Sequence, residues 1–373
     1  MSDKTQQDSP ELLSLREKID QCDQQIQRLV QERVLIASDI AKAKTAVDKN
    51  ASFYRPEREA QVLRRVRERN EILREEMNGL VSDNAMMRLM REIMSISLAA
   101  EMPMSVAYLG PEGTYTQAAV VKHFGQAVKS LDVKTIADVF RLVEQGKAHF
   151  GVVPVENSTE GVITHTLDCF ATSDLKVCGE VQLPINHQLL SHADGLTAVE
   201  KVYAHPQALA QCRQWLERYL PNVEICSASS NAEAAIIASK DKTIAAIASD
   251  MAASLYEIAI LASGIEDERN NTTRFLIIGN DSYAASGEDK TSIMVSAPNK
   301  VGSLFELLKP LYDVGVDMSR IESRPSRQTN WEYVFYIDLI GHVDTPKVRQ
   351  ALDELESKSA FFKLIGSYPA GVL

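Results

Sequence analysis

From Leu12 to Val47 the chain places Leu12, Leu15, Ile19, Cys22, Ile26, Leu29, Arg33, Ile36 and Ile40 at alternating steps of three and four. That spacing predicts the apolar seam of one packed helix. Pro10 lies just ahead of it, and neither Gly nor Pro interrupts the chain before Pro56. Such a helix is a rod of roughly 54 Å, too long for two short neighbours to cover, so a partner chain is expected along the seam. Arg33 stands out as a guanidinium on an apolar stripe. It reads equally as a register-setting or snorkelling residue and as a group held there for a ligand.

The remaining pattern divides the chain. Tyr54-Arg55-Pro56 opens a second helix that ends at Asn78-Gly79, and Ser82 or Asp83 caps a third that runs to about Ala100. At Glu101-Met102-Pro103 the pattern changes. Strands near 105–109, 150–155, 177–183, 200–204, 223–227, 243–248 and 274–279 alternate with helical runs such as Gln207–Tyr219 and Asn231–Ser239. This alternation predicts an α/β domain with mostly parallel sheets. After a polar linker at Tyr283–Asp289 come strand (Thr291–Ala297), helix (Ser303–Tyr312), strand (Asp317–Ser323), strand (Trp331–Ile340), helix (Thr345–Glu356) and strand (Phe362–Tyr368), a ferredoxin-like βαββαβ order. The expected fold is thus all-α at 1–102, α/β at 104–280 and α+β at 290–370.

A net charge of −11 over 373 residues argues against a nucleic-acid partner. Residues 1–102 nevertheless hold 17 Lys+Arg against 18 Asp+Glu, and Arg supplies most of the cations. Arg suits the forked recognition of small carboxylates. Five cysteines with no C-x-x-C pair, a polar start and no long uninterrupted apolar run predict a cytoplasmic chain with no membrane partner.

In the helical segment Arg33 lies on the seam, Lys44 about three turns further along the same face, and Arg16 beside the seam near its other end. Arg58 and Glu59 fall in the first turns of the second helix, while Ser97 and Glu101 continue the apolar face of the third beyond Ile93. A solvated surface would place these groups opposite the seam. The segments Leu15–Asp20, Glu32-Arg33, Ala41–Lys44 and Pro56–Glu59 resemble, in order, the all-helical chorismate mutases, dimers that exchange long first helices. The resemblance implies that Arg16 and Arg33, one from each chain, clamp the chorismate carboxylates with help from Arg58. It implies that Glu59 takes the ring hydroxyl, that Ser97 lines the pocket, and that Lys44 and Glu101 face the ether oxygen. Many relatives carry Gln where Glu101 stands, and some carry Asp where Arg55 stands, so a contact from Arg55 rests on its backbone. The rearrangement to prephenate needs neither cofactor nor nucleophile, only orientation and donors aimed at the developing charge.

Further on, Gly110–Thr116 follows a strand but lacks the G-x-G-x-x-G of a dinucleotide site. Val153–Ser158, Tyr203–Gln207 with Gln211, Ser229–Asn231 and Asn271–Phe275 set polar groups at strand ends, which alone more often means capping than catalysis. Together they resemble prephenate dehydratase over about Ser105–Gly279, a two-lobed, periplasmic-binding-protein-like α/β fold. On that resemblance Thr273, Glu156 and Asn157 are catalytic, and Gln211, Thr273 and Arg274 bind prephenate. Ala204 stands where many relatives have Ser. The reaction expels water and carbon dioxide, and what the protein must supply is help for the departing ring hydroxyl; the proton source is left open.

Asn299, Val301, Gly302, Ser303 and Leu304, with Glu322, Ser323, Arg324 and Pro325, resemble the stretches by which ACT regulatory domains hold phenylalanine between subunits. Gly302 would let a carboxylate approach a helix N-terminus. His123 and His165 read as structural or surface, and no metal or cofactor is expected. The chain is therefore expected to be a bifunctional enzyme acting on chorismate and prephenate and inhibited by L-phenylalanine, a homodimer with tetramers left open. A mutase fused to a nicotinamide-dependent dehydrogenase is the enzymatic alternative, and a two-lobed cytosolic sensor with a helical dimeriser is the non-enzymatic one.

Overall fold

The computed structural model describes residues 9–48, 54–297, 300–325 and 333–372. Three helices come first: α1 (Pro10–Val47), α2 (Pro56–Met77) and α3 (Asp83–Glu101). The Ser9 side chain caps α1 by accepting from the Leu12 N–H, and Pro10 occupies its first turn. Asn78 closes α2 in the left-handed region at φ 52°, and Ser82 caps α3.

The predicted seam faces outward. Leu12, Leu15, Ile19, Ile26, Leu29, Ile36 and Ile40 are all exposed, and Ala41 is the one fully buried residue of α1 among those described. A second, narrower stripe of Val30, Val34, Ala37 and Ala41 rests on α3, and Arg33 sits between the two stripes. The N-terminal half of α1, residues 10–29, is exposed in the single chain. Burial of a Leu or Ile contributes about 1.5–3 kcal/mol, so seven such residues in water leave a large unrealised stabilisation along the single chain's α1.

Two mixed sheets follow. Chain order is β1 (Ser105–Leu109), α4 (Tyr115–Phe124), β2 (Lys129–Val133), α5 (Ile136–Glu144), β3 (Phe150–Asn157), β4 (Gly161–Val162), α6 (Thr164–Thr172), β5 (Lys176–Pro184) and β6 (Gln188–Ser191). Then come β7 (Lys201–Ala204), α7 (Pro206–Gln211), α8 (Arg213–Tyr219), β8 (Glu224–Ser227), α9 (Asn231–Ala238), β9 (Ile244–Ala248), α10 (Asp250–Leu255), β10 (Ile260–Ala262) and β11 (Thr272–Gly279). The first sheet has order β2-β1-β3-β11-β5 with β4 on β3, and the second β10-β6-β9-β7-β8. The expectation of mostly parallel sheets is corrected, because β11 runs antiparallel to both β3 and β5, and β6 antiparallel to β9 and β10. The chain crosses from the first sheet to the second after β5 and returns in β11, and that returning strand enters the first sheet antiparallel to its neighbours.

The single helix expected over Gln207–Tyr219 is also corrected. It breaks at Cys212 because Asp267 intrudes: the Asp267 N–H donates to the Gln211 carbonyl (2.7 Å), and its carboxylate accepts from Gln214 N (3.0 Å) and Trp215 N (3.1 Å).

The last unit is β12 (Asp289–Ser296), α11 (Ser303–Val314), β13 (Met318–Pro325), β14 (Tyr333–Ile340), α12 (Pro346–Lys358) and β15 (Phe361–Pro369), with sheet order β13-β14-β12-β15, the ferredoxin-like arrangement expected. It is not a loosely tethered module. Met294, Tyr336, Ile365 and Tyr368 share one apolar cluster with Phe170, Val177, Leu276 and Ile278. A Cβ on Gly366 would lie 2.2 Å from the Val177 carbonyl oxygen, so only glycine lets β15 seat on β5. Arg64 of α2 donates to the carbonyls of Ser286 (3.0 Å) and Glu288 (2.9 Å), and Arg67 to that of Val372 (2.8 Å), so the helical domain grips the linker and the C-terminal tail. No helix among the described residues is long and apolar enough to cross a membrane.

Candidate active sites and effector site

The first cluster lies where α1 crosses α3. Arg33 Nη1 donates to Ser97 Oγ and to the Ile93 carbonyl (3.4 Å), while Ser97 Oγ itself donates to the Ile93 carbonyl (2.7 Å). Glu101 is half-buried one turn beyond Ser97. Burial raises its pKa and nearby Glu59 adds to the rise, against the opposing charges of Lys44 and Arg33. Lys44, Arg33, Glu59, Ser97 and Glu101 therefore converge, as the sequence predicts. Glu59 is paired with Arg91 of α3, a partner that sequence reasoning missed; burial pushes its pKa up, and Arg91 and then Arg33 pull it back.

Arg58 is exposed, and Arg55 pairs with Glu57 (2.6 Å). Arg16 lies 17 residues before Arg33 on a continuous helix, roughly 25 Å away along the axis, so it cannot reach the Arg33 of its own chain. His123 is half-buried, bonded at Nε2 to the Tyr54 hydroxyl (2.8 Å), and His165 is exposed.

The second site is a cleft of about 380 Å³ between the two sheets. All five of the stretches singled out meet there, represented by Thr114, Asn157, His205, Ser230 and Thr273. Thr273 and Asn157 are Cα partners on β11 and β3, and Asn157 Nδ2 donates to Thr273 Oγ1 (2.8 Å). Among the described residues no acceptor takes the Thr273 hydroxyl proton. The N-termini of α4 and α9, capped by Thr114 and Ser230, open onto the cleft with Lys134, which suits an anionic ligand. Gln211 lines it too, bonded to His187 and Asn271. His187 is the functional candidate that the sequence reading missed. Its signal was an amide and an imidazole at a strand end, Asn186-His187, of the same kind as those singled out.

Two expected residues do not enter the cleft. Successive strand residues face opposite ways, so Glu156 and Arg274, neighbours of Asn157 and Thr273, point to the far side of the sheet. Glu156 pairs with Arg320 of β13 (3.1 Å). Arg274 reaches Glu180 (2.7 Å), Asp338 (2.5 Å) and the Tyr368 hydroxyl (3.0 Å). Expected as a catalytic and a prephenate-binding residue, Glu156 and Arg274 here lie outside the cleft, at the junction with the C-terminal domain. Removing a buried cation that serves two buried carboxylates costs roughly 3–5 kcal/mol. Arg274→Met is thus expected to lower the melting midpoint by several degrees, measured by calorimetry on the whole chain.

In the C-terminal domain, Ser296 and Arg324 are each Cα partners of Val334. The loop after β12 and the end of β13 therefore lie at one end of the sheet, two strand spacings apart, or about 10 Å. Gly302 caps α11 at φ 82°, a conformation that favours glycine, and Ser303 Oγ donates to the Lys300 carbonyl (2.6 Å). Val301 and Leu304 are exposed, as are Ser323 and Pro325, while Glu322 is half-buried. Arg324 turns the other way, onto Asp168 of α6 (3.3 Å). Asn299 lies outside the described residues.

An Arg-bearing helical cluster, a hydroxyl-bearing cleft and an appended ferredoxin-like domain define an enzyme class with two active domains and one effector-type domain. The family models match accordingly: chorismate mutase type II over residues 15–102, prephenate dehydratase over 106–283 and the ACT domain over 291–357. A bifunctional chorismate mutase/prephenate dehydratase of Pseudomonas aeruginosa is 48% identical over 98% of this chain and 100% of its own length. Its counterpart in Neisseria gonorrhoeae is 47% identical over 97% and 98%. Among solved structures, a prephenate dehydratase from Arthrobacter aurescens in complex with L-Phe aligns at TM-score 0.67 and 33% identity, covering 71% of this chain and 90% of that one. The chain belongs to the bifunctional chorismate mutase/prephenate dehydratase family, and it is an enzyme with both activities.

Proposed function

We propose that the chain converts chorismate through prephenate to phenylpyruvate, in the cytoplasm, as a homodimer with exchanged first helices, under feedback inhibition by L-phenylalanine. The observation that carries the two-site reading is the Thr273 hydroxyl, held by Asn157 in a cleft separate from the Arg33–Ser97–Glu101 cluster. The domains are assigned to 1–102, 104–280 and 290–370, and no step calls for a cofactor. In the first site Arg33 and the partner's Arg16 hold the two carboxylates of chorismate, Arg58 assists, and Glu59 and Ser97 orient the ring. Lys44 and Glu101 donate to the ether oxygen as its bond breaks. In the second, Thr273 donates to the departing ring hydroxyl while Asn157 and Gln211 orient prephenate.

The Arthrobacter structure, solved with L-Phe, supports phenylalanine as the effector. The open end of the ACT sheet at Val301–Leu304 and Glu322–Pro325 supports a site shared between two chains. Absorbance tests the whole reading: chorismate should disappear and phenylpyruvate appear without nicotinamide, and L-phenylalanine should slow the second step. Binding of chorismate without turnover would favour a sensor.

Glu101 makes a pH prediction. Its carboxyl donates only when protonated, and its folded pKa is raised. The active form therefore persists at low pH and is lost as pH rises through that raised pKa. Mutase kcat is expected to fall from the acidic side towards neutrality, and Glu101→Gln, which donates at every pH, is expected to flatten the profile. Identical profiles for the two enzymes would refute the donor role.

A further inference from the structure

A line of side-chain hydrogen bonds crosses the floor of the cleft, and its direction follows from one end. Asn157 Oδ1 accepts the backbone N–H groups of Thr159 and Glu160, both at 3.0 Å. Its amide nitrogen is thereby turned to Asn271 Oδ1 (2.7 Å) and Thr273 Oγ1 (2.8 Å). Asn271 must then point its own nitrogen at Gln211 Oε1 (3.3 Å), whose other partner is His187 Nε2 at 2.8 Å. A carboxamide oxygen has no proton to give, so His187 carries hydrogen on Nε2. The ring is 2% exposed. Its Nδ1 faces the Tyr115 hydroxyl (3.1 Å), whose single proton lies between it and the nearer Asn186 carbonyl (2.6 Å), and the His187 N–H is anchored on Glu266 Oε2 (2.8 Å). Burial also lowers the imidazole pKa, which favours the neutral ring, and the Gln211 contact places its hydrogen on Nε2.

We propose that His187 is a positioning residue of the dehydratase: by donating to Gln211 it anchors the far end of the chain that keeps Thr273 an acceptor towards Asn157 and its proton directed at the substrate. Gln211 Nε2 also donates to Glu160 Oε1, but at 3.3 Å, so the shorter contact with His187 (2.8 Å) is the closer hold on the Gln211 amide. If Gln211 turned over, its nitrogen would oppose that of Asn271. A reversed Asn271 would in turn oppose Asn157 and draw it from Thr273. No residue of the line other than Thr273 has to touch the reacting atoms for this to matter.

The inference rests on Thr273 lying in the dehydratase site, and the test separates the two ideas. In the full chain, His187→Phe fills the space without a donor, while His187→Gln restores an N–H. His187→Phe is expected to lower kcat for prephenate roughly tenfold, the scale of one hydrogen bond, with KM changed less than about threefold. His187→Gln is expected to recover most of the loss. A His187→Phe enzyme within about twofold of the parent in kcat overturns the proposal, as does equal impairment of the Phe and Gln variants, which would mean packing alone. Should His187→Phe not fold, Asn271→Leu breaks the line at a residue given no substrate contact and should show the same kcat loss; an unchanged kcat there also overturns it. An active Thr273→Ala enzyme refutes the site assignment itself. An inactive Thr273→Ala beside a fully active His187→Phe refutes only the role of His187.

Discussion

Thr273→Ala is expected to lower dehydratase kcat by about two to three orders of magnitude, the usual cost of removing a donor aimed at developing charge, and to leave mutase turnover unchanged. The hydroxyl is buried and fixed by Asn157 Nδ2. Its loss leaves the departing oxygen without its donor, and the vacated space is too small to rearrange the strand pair. Thr273→Ser, which keeps the hydroxyl, should retain a substantial part of the rate. Phenylpyruvate formation from prephenate measures the second step, and chorismate consumption the first. Loss of both in a folded chain would contradict separate sites.

The second large effect concerns α1. Because Arg16 and Arg33 lie on one straight helix, far apart and both needed at one substrate, the reading requires one of them from each chain. Arg16→Ala and Arg33→Ala chains should each be nearly devoid of mutase activity. Mixed after unfolding and refolding together, they form dimers in which one of the two sites recovers both arginines. With half the dimers mixed, about a quarter of the parental activity should return. No recovery, with hybrid dimers demonstrated by mass spectrometry, would place both arginines in sites built from a single chain. Charged substitutions on the exposed seam, such as Ile26→Glu, would report less cleanly, because other surfaces can keep the chains together.

Local periodicity made much of this legible. The three helices, the change at Glu101–Pro103 and the βαββαβ order all follow from spacing and caps. The Arg33–Ser97–Glu101 cluster was legible too, because polar residues continued apolar faces. What failed had non-local causes. The helix over Gln207–Tyr219 is broken by Asp267, a residue more than fifty positions away that caps the new start. Mixed sheet direction depends on where a returning strand inserts, which no local pattern records. Glu156 and Arg274 fall outside the cleft for a different reason: contiguous letters of a motif read as one site, although strand alternation sends neighbours to opposite faces. Arg91 escaped notice because its partner Glu59 lies on another helix, and His187 because β6 was not recognised as a strand.

The seat of β15 on β5 bears on how this enzyme can be engineered. Gly366 pressed against Val177, a shared apolar cluster, and Arg274 extended into Asp338 and Tyr368 make the effector-type domain part of the catalyst's foundation. A chain cut at the linker would open that cluster to water and leave Arg274, on the strand that carries Thr273, with Glu180 but without Asp338 and Tyr368. If the proposed inhibition by L-phenylalanine is to be removed, point substitution at the open end of the ACT sheet is the route, since excision removes support that the catalytic sheet needs.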